Sequence, residues 1–415
     1  MLDIAAIFLT LTAVLAYLNR RFIGFPATIG VMIIALALSL VTIGLDALGF
    51  GVLRDFEESL LHRVDFSDLL MEGMLSLLLF AGALHVDLSE LRAYRWQIGL
   101  LAIIGTMAST LVVGLLLWLG LSYTPLAMPL TYCLLFGALI SPTDPIAVMG
   151  ILKSAGAPKN VELVIAGESL FNDGVGVVLF SLLLSVAHSG RVPGLAEGAL
   201  LLLEEAGGGI LLGLVIGYVT YRMLKSIDSY QEEVLVTLAA VIGGYALASK
   251  LHVSGPLAMV VVGLIIGNHG RALAMSEQTR RHVDMFWELI DEILNAVLFV
   301  LIGLEIIVIT SAQGLLTAGL IAIGVTLLAR VLTVGLPIRL LRFMFRLPTG
   351  AWKVLTWGGL RGGISVALAL SLPAGPQRDI IVALTYMVVV FSILVQGLTI
   401  GKVVRSSIEC ASSPH

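Results

Sequence analysis

An otherwise apolar run from Val161 to Ala187 contains the segment Glu168-Ser169-Leu170-Phe171-Asn172-Asp173-Gly174. An acidic residue at the centre of a membrane helix costs roughly 2.5–3.5 kcal/mol on translocon-based scales, so two in one span point to a buried site or a water-filled path. That cost applies only if the run lies in lipid. With 58% of the 415 residues hydrophobic, 13% charged and a mean hydropathy of +1.04, the chain lacks the polar surface of a soluble protein. It reads as an integral membrane protein.

The net charge of -4 is small and is gathered into no tail, which gives nucleic-acid binding no support. Cys133 lies in an apolar run and Cys410 near the C-terminus, a placement that fits neither a disulfide framework nor a metal site. No basic segment precedes the first apolar run, so a first span rather than a cleaved signal is expected. From the short stretch after Gly401 no soluble domain is expected there.

Windows of about 20 apolar residues give about thirteen spans. They fall near 2–18, 22–45, 65–87, 96–121, 128–152, 160–187, 195–224, 231–250, 253–268, 284–310, 314–338, 349–373 and 379–402. Basic residues alternate across these spans as the positive-inside rule requires. One side collects Arg20, Arg21, Arg92, Arg95, Lys153, Lys159, Arg222, Lys225, Arg271, Arg280, Arg281, Arg339, Arg342, Arg346, Lys353, Lys402 and Arg405. The other has Arg54, Arg63, Arg191, Lys250 and Arg378, while Arg330 and Arg361 fall within spans. The expected N-terminus is outside and the expected C-terminus cytoplasmic.

An odd number of spans fits two inverted six-helix units joined by one linking helix, which pairs the fifth span with the twelfth. Both are interrupted, by Ser141-Pro142-Thr143-Asp144-Pro145 and by Gly358-Gly359-Leu360-Arg361-Gly362-Gly363. Matched interruptions in two halves are the best sequence pointer to a transporter's binding site. Pro142 and Pro145 cannot donate to the carbonyls of Ala138 and Ser141, so the backbone near Thr143 opens. Freed carbonyls and the Thr143 hydroxyl are hard oxygen donors suited to an alkali cation, with Asp144 to balance charge there or to offset converging helix N-termini. A plain proline kink with a solvated Asp144 is the simpler alternative. Arg361 lies too deep to reach an interface and needs a buried partner.

At about 100° per residue, Ser169 and Asp173 share a helix face, whereas Glu168 and Asp173 point about 140° apart. Asp173 with Ser169 suits an ion site facing Thr143, Glu168 suits pairing with Arg361, and Asn172 suits a positioning role. Interhelical hydrogen bonding alone is the alternative for both acids.

The three motifs together resemble the monovalent cation:proton antiporter-1 family, the NhaP and NHE relatives, over essentially the whole chain. The resemblance implies an all-α polytopic membrane protein of NhaA-like fold, with inverted six-helix repeats and crossed, unwound fifth and twelfth helices. It implies a homodimer in the cell membrane, with a scaffold from helices 1–3 and 7–10 (about 1–90 and 195–310). A core transport domain from helices 4–6 and 11–13 (about 96–187 and 314–402) completes it.

Carried over by position, Asp173 resembles the carboxylate that binds cation or proton. Thr143, Asp144 and Ser169 resemble residues lining the ion site, and Glu168 with Arg361 resembles a structural ion pair. Asn172 stands where electrogenic relatives have a second aspartate, which implies electroneutral, one-for-one exchange of sodium or another monovalent cation for protons, in the service of pH homeostasis. No cofactor is implied. Where many relatives carry an acid before a small-residue pair in the third span, Phe80 precedes Ala81-Gly82 here, and Glu72 is the acid left in that span. Glu288, Asp291 and Glu292, with Glu72, are candidates for a cation-attracting funnel, since clefts of one charge concentrate counter-ions; ordinary interfacial charge is the alternative. Glu204, Glu205 and Glu305 read as ordinary charges near helix ends. Potassium/proton exchange, a cation channel, and an intramembrane aspartyl protease using Asp144 and Asp173 are the rival readings. The protease would explain neither Arg361 nor the matched breaks, and no repeated filter loop marks a channel.

Overall fold

A computed structural model describes residues 2–48, 74–190, 194–304, 314–345 and 347–412. Among these the secondary structure is helical, without strands. Helices α1 (Leu2–Leu18) and α2 (Ala27–Ala47) are followed, beyond the undescribed stretch, by α3 (Leu75–Leu84) and the short α4 (Leu88–Ala93). Then come α5 (Arg95–Leu121), α6 (Leu130–Ile140), α7 (Ile146–Ser154), α8 (Lys159–Ser189) and α9 (Leu195–Leu224). The second half has α10 (Tyr230–Lys250), α11 (Gly255–Gly270), α12 (Glu277–Leu304), α13 (Leu315–Leu340), α14 (Ala351–Trp357), α15 (Gly363–Leu370) and α16 (Pro376–Ser407). Glu72 and Glu305 lie outside the described residues.

Eight of the described helices are individually long and apolar enough to cross a membrane, fewer than the spans read from hydropathy. The physical reason is local. The fifth and twelfth spans are each split into two short helices, α6 with α7 and α14 with α15. Two further apolar helices, α3 and α11, are shorter than a full crossing, and the first half of α12 is strongly charged.

Boundaries follow the local chemistry. The Ser254 hydroxyl accepts from the Leu257 amide with Pro256 in the first turn, which starts α11. Gly190, at φ +65°, closes α8 by donating to the Val186 carbonyl. Asp87 caps α4 through the Ser89 amide at 2.7 Å, and the Ser89 hydroxyl and amide hold its carboxyl below the usual carboxylate range.

The buried side chains fall into two clusters. One is built chiefly from α5, α6, α8 and α13–α16, with α1 and α2 joining it against the second half of α12. The other comes from α3, α10, α11 and the first half of α12. Helix α8 contributes to both, through Val164 and Val177 on one side and Leu170 on the other. Its polar residues are therefore held at the seam between two packed bodies.

The first cluster contains a buried ion pair that differs from the expected one. Glu168 pairs with Arg330 of α13, not with Arg361. Arg330 Nη1 engages Oε1, and Nη2 donates to Oε2 at 3.1 Å and to the Leu355 carbonyl of α14 at 3.1 Å. Gly359 makes room, since a Cβ there would collide with the guanidinium. The correction follows from three-dimensional packing, which helix angle does not give: Arg330 of α13 reaches Glu168 beside Gly359, while Arg361 extends to the other interruption. Its guanidinium is taken up by backbone carbonyls instead.

Removing one member of a buried pair typically costs about 3–5 kcal/mol. Arg330→Gln should therefore lower the thermal midpoint in detergent markedly, and Glu168→Gln added to it should lower the midpoint little further. A double-mutant cycle that couples Glu168 to Arg361 more strongly than to Arg330 would refute this pairing.

Candidate functional site

Two chain interruptions meet in the interior. Helix α6 stops at Ile140 and α7 resumes at Ile146, because Pro142 and Pro145 lack amide protons and crowd the preceding turn. The opposite interruption separates Trp357 from Gly363. The Asp144 amide donates to the Leu360 carbonyl at 2.8 Å, joining the two breaks backbone to backbone. Arg361 Nη1 donates to the carbonyls of Ser141 at 2.5 Å and Pro142 at 2.8 Å. The Ser141 carbonyl is one that sequence reasoning expected Pro145 to free. A guanidinium there also compensates the negative end of α6. The Arg361 amide donates to Ser392 Oγ at 2.9 Å, which ties the second break to α16. Asp144 lies against Gly362, where a Cβ would overlap its carboxylate.

Helix α8 braces the first break. Ser169 and Asn172, three residues apart, face it together. Thr143 Oγ1 and Ser169 Oγ are 2.9 Å apart. Asn172 accepts from the Thr143 amide at 3.3 Å and donates through Nδ2 to Thr143 Oγ1 at 2.9 Å. An amide side chain is required for that exchange, because an ionised carboxylate accepts but cannot donate. With Asn172 donating to it, the Thr143 hydroxyl can pass its own proton to Ser169, and a remaining lone pair is left for a cation.

Asp173 is 7% exposed, and that exposure gives onto a cavity of about 650 Å³. Pro142, Thr143, Asp144, Pro145 and Gly362 line it from the breaks, Ser365 from α15, and Ala81 and Gly82 from α3. The cavity also brings in Glu288, Asp291 and Glu292 of α12, with Lys153 and His85 on its wall. Asn295 Nδ2 donates to Asp291 Oδ1 at 3.1 Å, steadying that acid. The structure thus gathers Asp173, Asp144 and Thr143 with the three α12 acids around one space. Ser169 and Asn172 stand behind Thr143, and Glu168 and Arg361 stand apart from the cavity. Hydroxyl and carboxylate oxygens of this kind suit a partly dehydrated monovalent cation.

Where the third-span acid of many relatives was expected, Phe80 is fully buried and packs on the Trp287 ring, centroids 4.5 Å apart. Sequence reasoning passed over Arg330, Asn295 and Ser365. Arg330 carried a readable signal, a full charge inside an apolar span; Asn295 and Ser365 carried none.

Residues 9–406 match the family described as sodium/hydrogen exchanger, transmembrane. The chain is 55% identical over 410 residues to the Na(+)/H(+) antiporter NhaP of Pseudomonas aeruginosa, covering 98% of this chain and 96% of that one. It is 35% identical to the Na(+)/H(+) antiporter NhaH of Halobacillus dabanensis, over 89% and 91% of the two chains. In fold it matches the sodium proton antiporter MjNhaP1 of Methanocaldococcus jannaschii at pH 8, with a TM-score of 0.75, 18% identity and 98% of each chain covered. These are membrane transporters, a setting in which paired carboxylates and a broken-helix crossing serve ions rather than peptide hydrolysis. The chain belongs to the sodium/hydrogen exchanger family.

Proposed function

We propose that the protein exchanges sodium for protons, one for one, by alternating access, with Asp173 as the carboxylate for which cation and proton compete. The observation that carries this reading is the cavity shared by Asp173, Asp144 and the Thr143 hydroxyl beside the joined breaks. Protonated, or ionised with a bound cation, Asp173 leaves the site at the same net charge; ionised and empty, it carries an uncompensated charge across a low-dielectric barrier. The loaded states move and the empty one does not, which couples the two fluxes. Thr143 supplies a neutral oxygen ligand, Ser169 and Asn172 fix it, and Asp144 holds a balancing charge at the break.

In the finer architecture we propose, about thirteen helices form two inverted six-helix repeats. The core helices around α5–α8 and α13–α16 move against a scaffold from the remaining helices in a homodimer of the cell membrane. The N-terminus is outside and the C-terminus cytoplasmic. Glu288, Asp291 and Glu292 form the cytoplasmic approach. Asn172 keeps the site at one transport carboxylate, which sets electroneutral exchange.

Asp173→Asn protein that elutes as a single species should show no sodium-driven collapse of a pH gradient in proteoliposomes; exchange surviving that substitution would remove Asp173 from the role. Lithium and potassium, run in parallel, test the cation, and potassium-driven exchange in place of sodium would favour a potassium/proton antiporter. Clamping the membrane potential at different values should leave the rate unchanged. A rate that climbs with potential would overturn the stoichiometry. Removing charge from the approach, as in Asp291→Asn with Glu292→Gln, should raise the apparent KM for sodium about three- to tenfold at low ionic strength while kcat is kept, because the field acts on arrival. An effect insensitive to salt would assign these acids elsewhere.

A further inference from the structure

A second cavity, of about 920 Å³, runs along the outside of α8 between α5 and α9. It is within the size range of a site for a molecule of several hundred daltons. Its walls are Ile98 and Met107 of α5 with Ala206 and Ile210 of α9, and its floor is Val178 of α8 with Leu257 of α11. One end is different in kind: Arg92, Arg95 and His269 line it. The side facing away from the bundle is open, since Ile103 and Leu203 on its rim are 51% and 69% exposed.

The basic end is built rather than incidental. Asn268 accepts from the Leu88 amide at 2.8 Å and donates to the Val86 carbonyl at 2.9 Å, which fastens the start of α4 to the end of α11. That fastening brings Arg92 and His269 to one spot. The neighbouring acids are engaged elsewhere, Glu90 with Lys159 and Asp87 in capping α4. Among the described residues neither Arg92 nor Arg95 has a carboxylate partner. Trp96, next to Arg95, is 78% exposed, the placement of an aromatic anchor at the headgroup level. An apolar trough that starts at that level with two guanidiniums lacking a carboxylate partner among the described residues, Arg95 resting 5.9 Å from the Trp96 ring centroid, and that opens sideways, is complementary to one amphiphile. Its headgroup is a phosphate, which arginine grips through paired N–H groups, and its tail is a hydrocarbon chain.

We propose that this groove holds an anionic glycerophospholipid, with its phosphate on Arg92 and Arg95 and one acyl chain between α5 and α9. The lipid would lie on α8, directly behind the helix face that carries Asp173. This proposal does not depend on which cation is exchanged.

The test uses the full chain in nanodiscs of phosphatidylcholine carrying a trace of phosphatidylglycerol with a photoreactive acyl chain, and maps the adducts by peptide mass spectrometry. Adducts should concentrate in residues 98–107, 171–179 and 202–210. Unlabelled phosphatidylglycerol should compete, while phosphatidylcholine and glycerol 3-phosphate should not. Arg92→Gln with Arg95→Gln should weaken capture roughly 25-fold, at about fivefold for each arginine near an anionic lipid. Ala206→Trp, which fills the trough and leaves the arginines in place, should also remove the adducts and covers the case in which the double variant fails to fold. Adducts spread evenly over all lipid-facing helices, or competition by phosphatidylcholine equal to that by phosphatidylglycerol, would overturn the proposal. Competition by glycerol 3-phosphate alone would overturn it too, by assigning the end to a free phosphate.

Discussion

Arg361 donates to the carbonyls of Ser141 and Pro142, and through that contact a helix can stop in the middle of the protein. Backbone polar groups left bare in a hydrocarbon setting cost several kcal/mol each, and the two prolines that lie two and five residues past the end of α6 create such groups. The compensation comes from the opposite break, which donates a guanidinium and accepts the Asp144 amide in return. Each interruption thus satisfies what the other exposes. Neither would be tolerable alone, and Thr143 and Asp144 line the cavity only because both are present.

Much of this was legible in the sequence, for reasons specific to lipid. A charge or a proline in an apolar run is rare enough there that each one demands a partner, so the two breaks, Asp173, and the separation of Glu168 from Asp173 could be read from composition and helix angle. Partner identity could not. Two arginines lay within spans, and a wheel projection says which way Glu168 points but nothing of which helix faces it. In three dimensions the Arg330 side chain of α13 reaches Glu168, while the carbonyls of the first break hold Arg361. Fewer described helices than spans are individually long enough to cross, because the hydropathy windows run through the two breaks the sequence also marks, whose halves are each short. Neutral polar residues such as Asn295 left no trace that distinguishes them from ordinary helix surface.

Asn172 changes meaning when its contacts are considered. Its family resemblance concerned charge, one carboxylate in place of two. Its geometry concerns direction: it both gives and receives a hydrogen bond at Thr143, which an ionised aspartate could not do. The residue on which the proposed one-for-one stoichiometry rests therefore also braces the broken segment. Phe80 makes a parallel case, since the position of an acid in other chains is here part of an aromatic contact with Trp287 that helps close the second cluster.

The bracing of Thr143 by two residues one turn apart on α8 has a mechanical consequence. Asp173 is on the same rigid rod as Ser169 and Asn172, so the hydroxyl and the carboxylate keep a fixed spacing whenever α8 shifts against its neighbours. In the exchange cycle proposed above, the oxygen cage would travel as cargo of the helix with no need to be rebuilt at the end of a stroke. An ion arriving from either face of the membrane would then meet the same ligands at the same distances, and the affinity on the two sides would be tied together by the stiffness of a single turn.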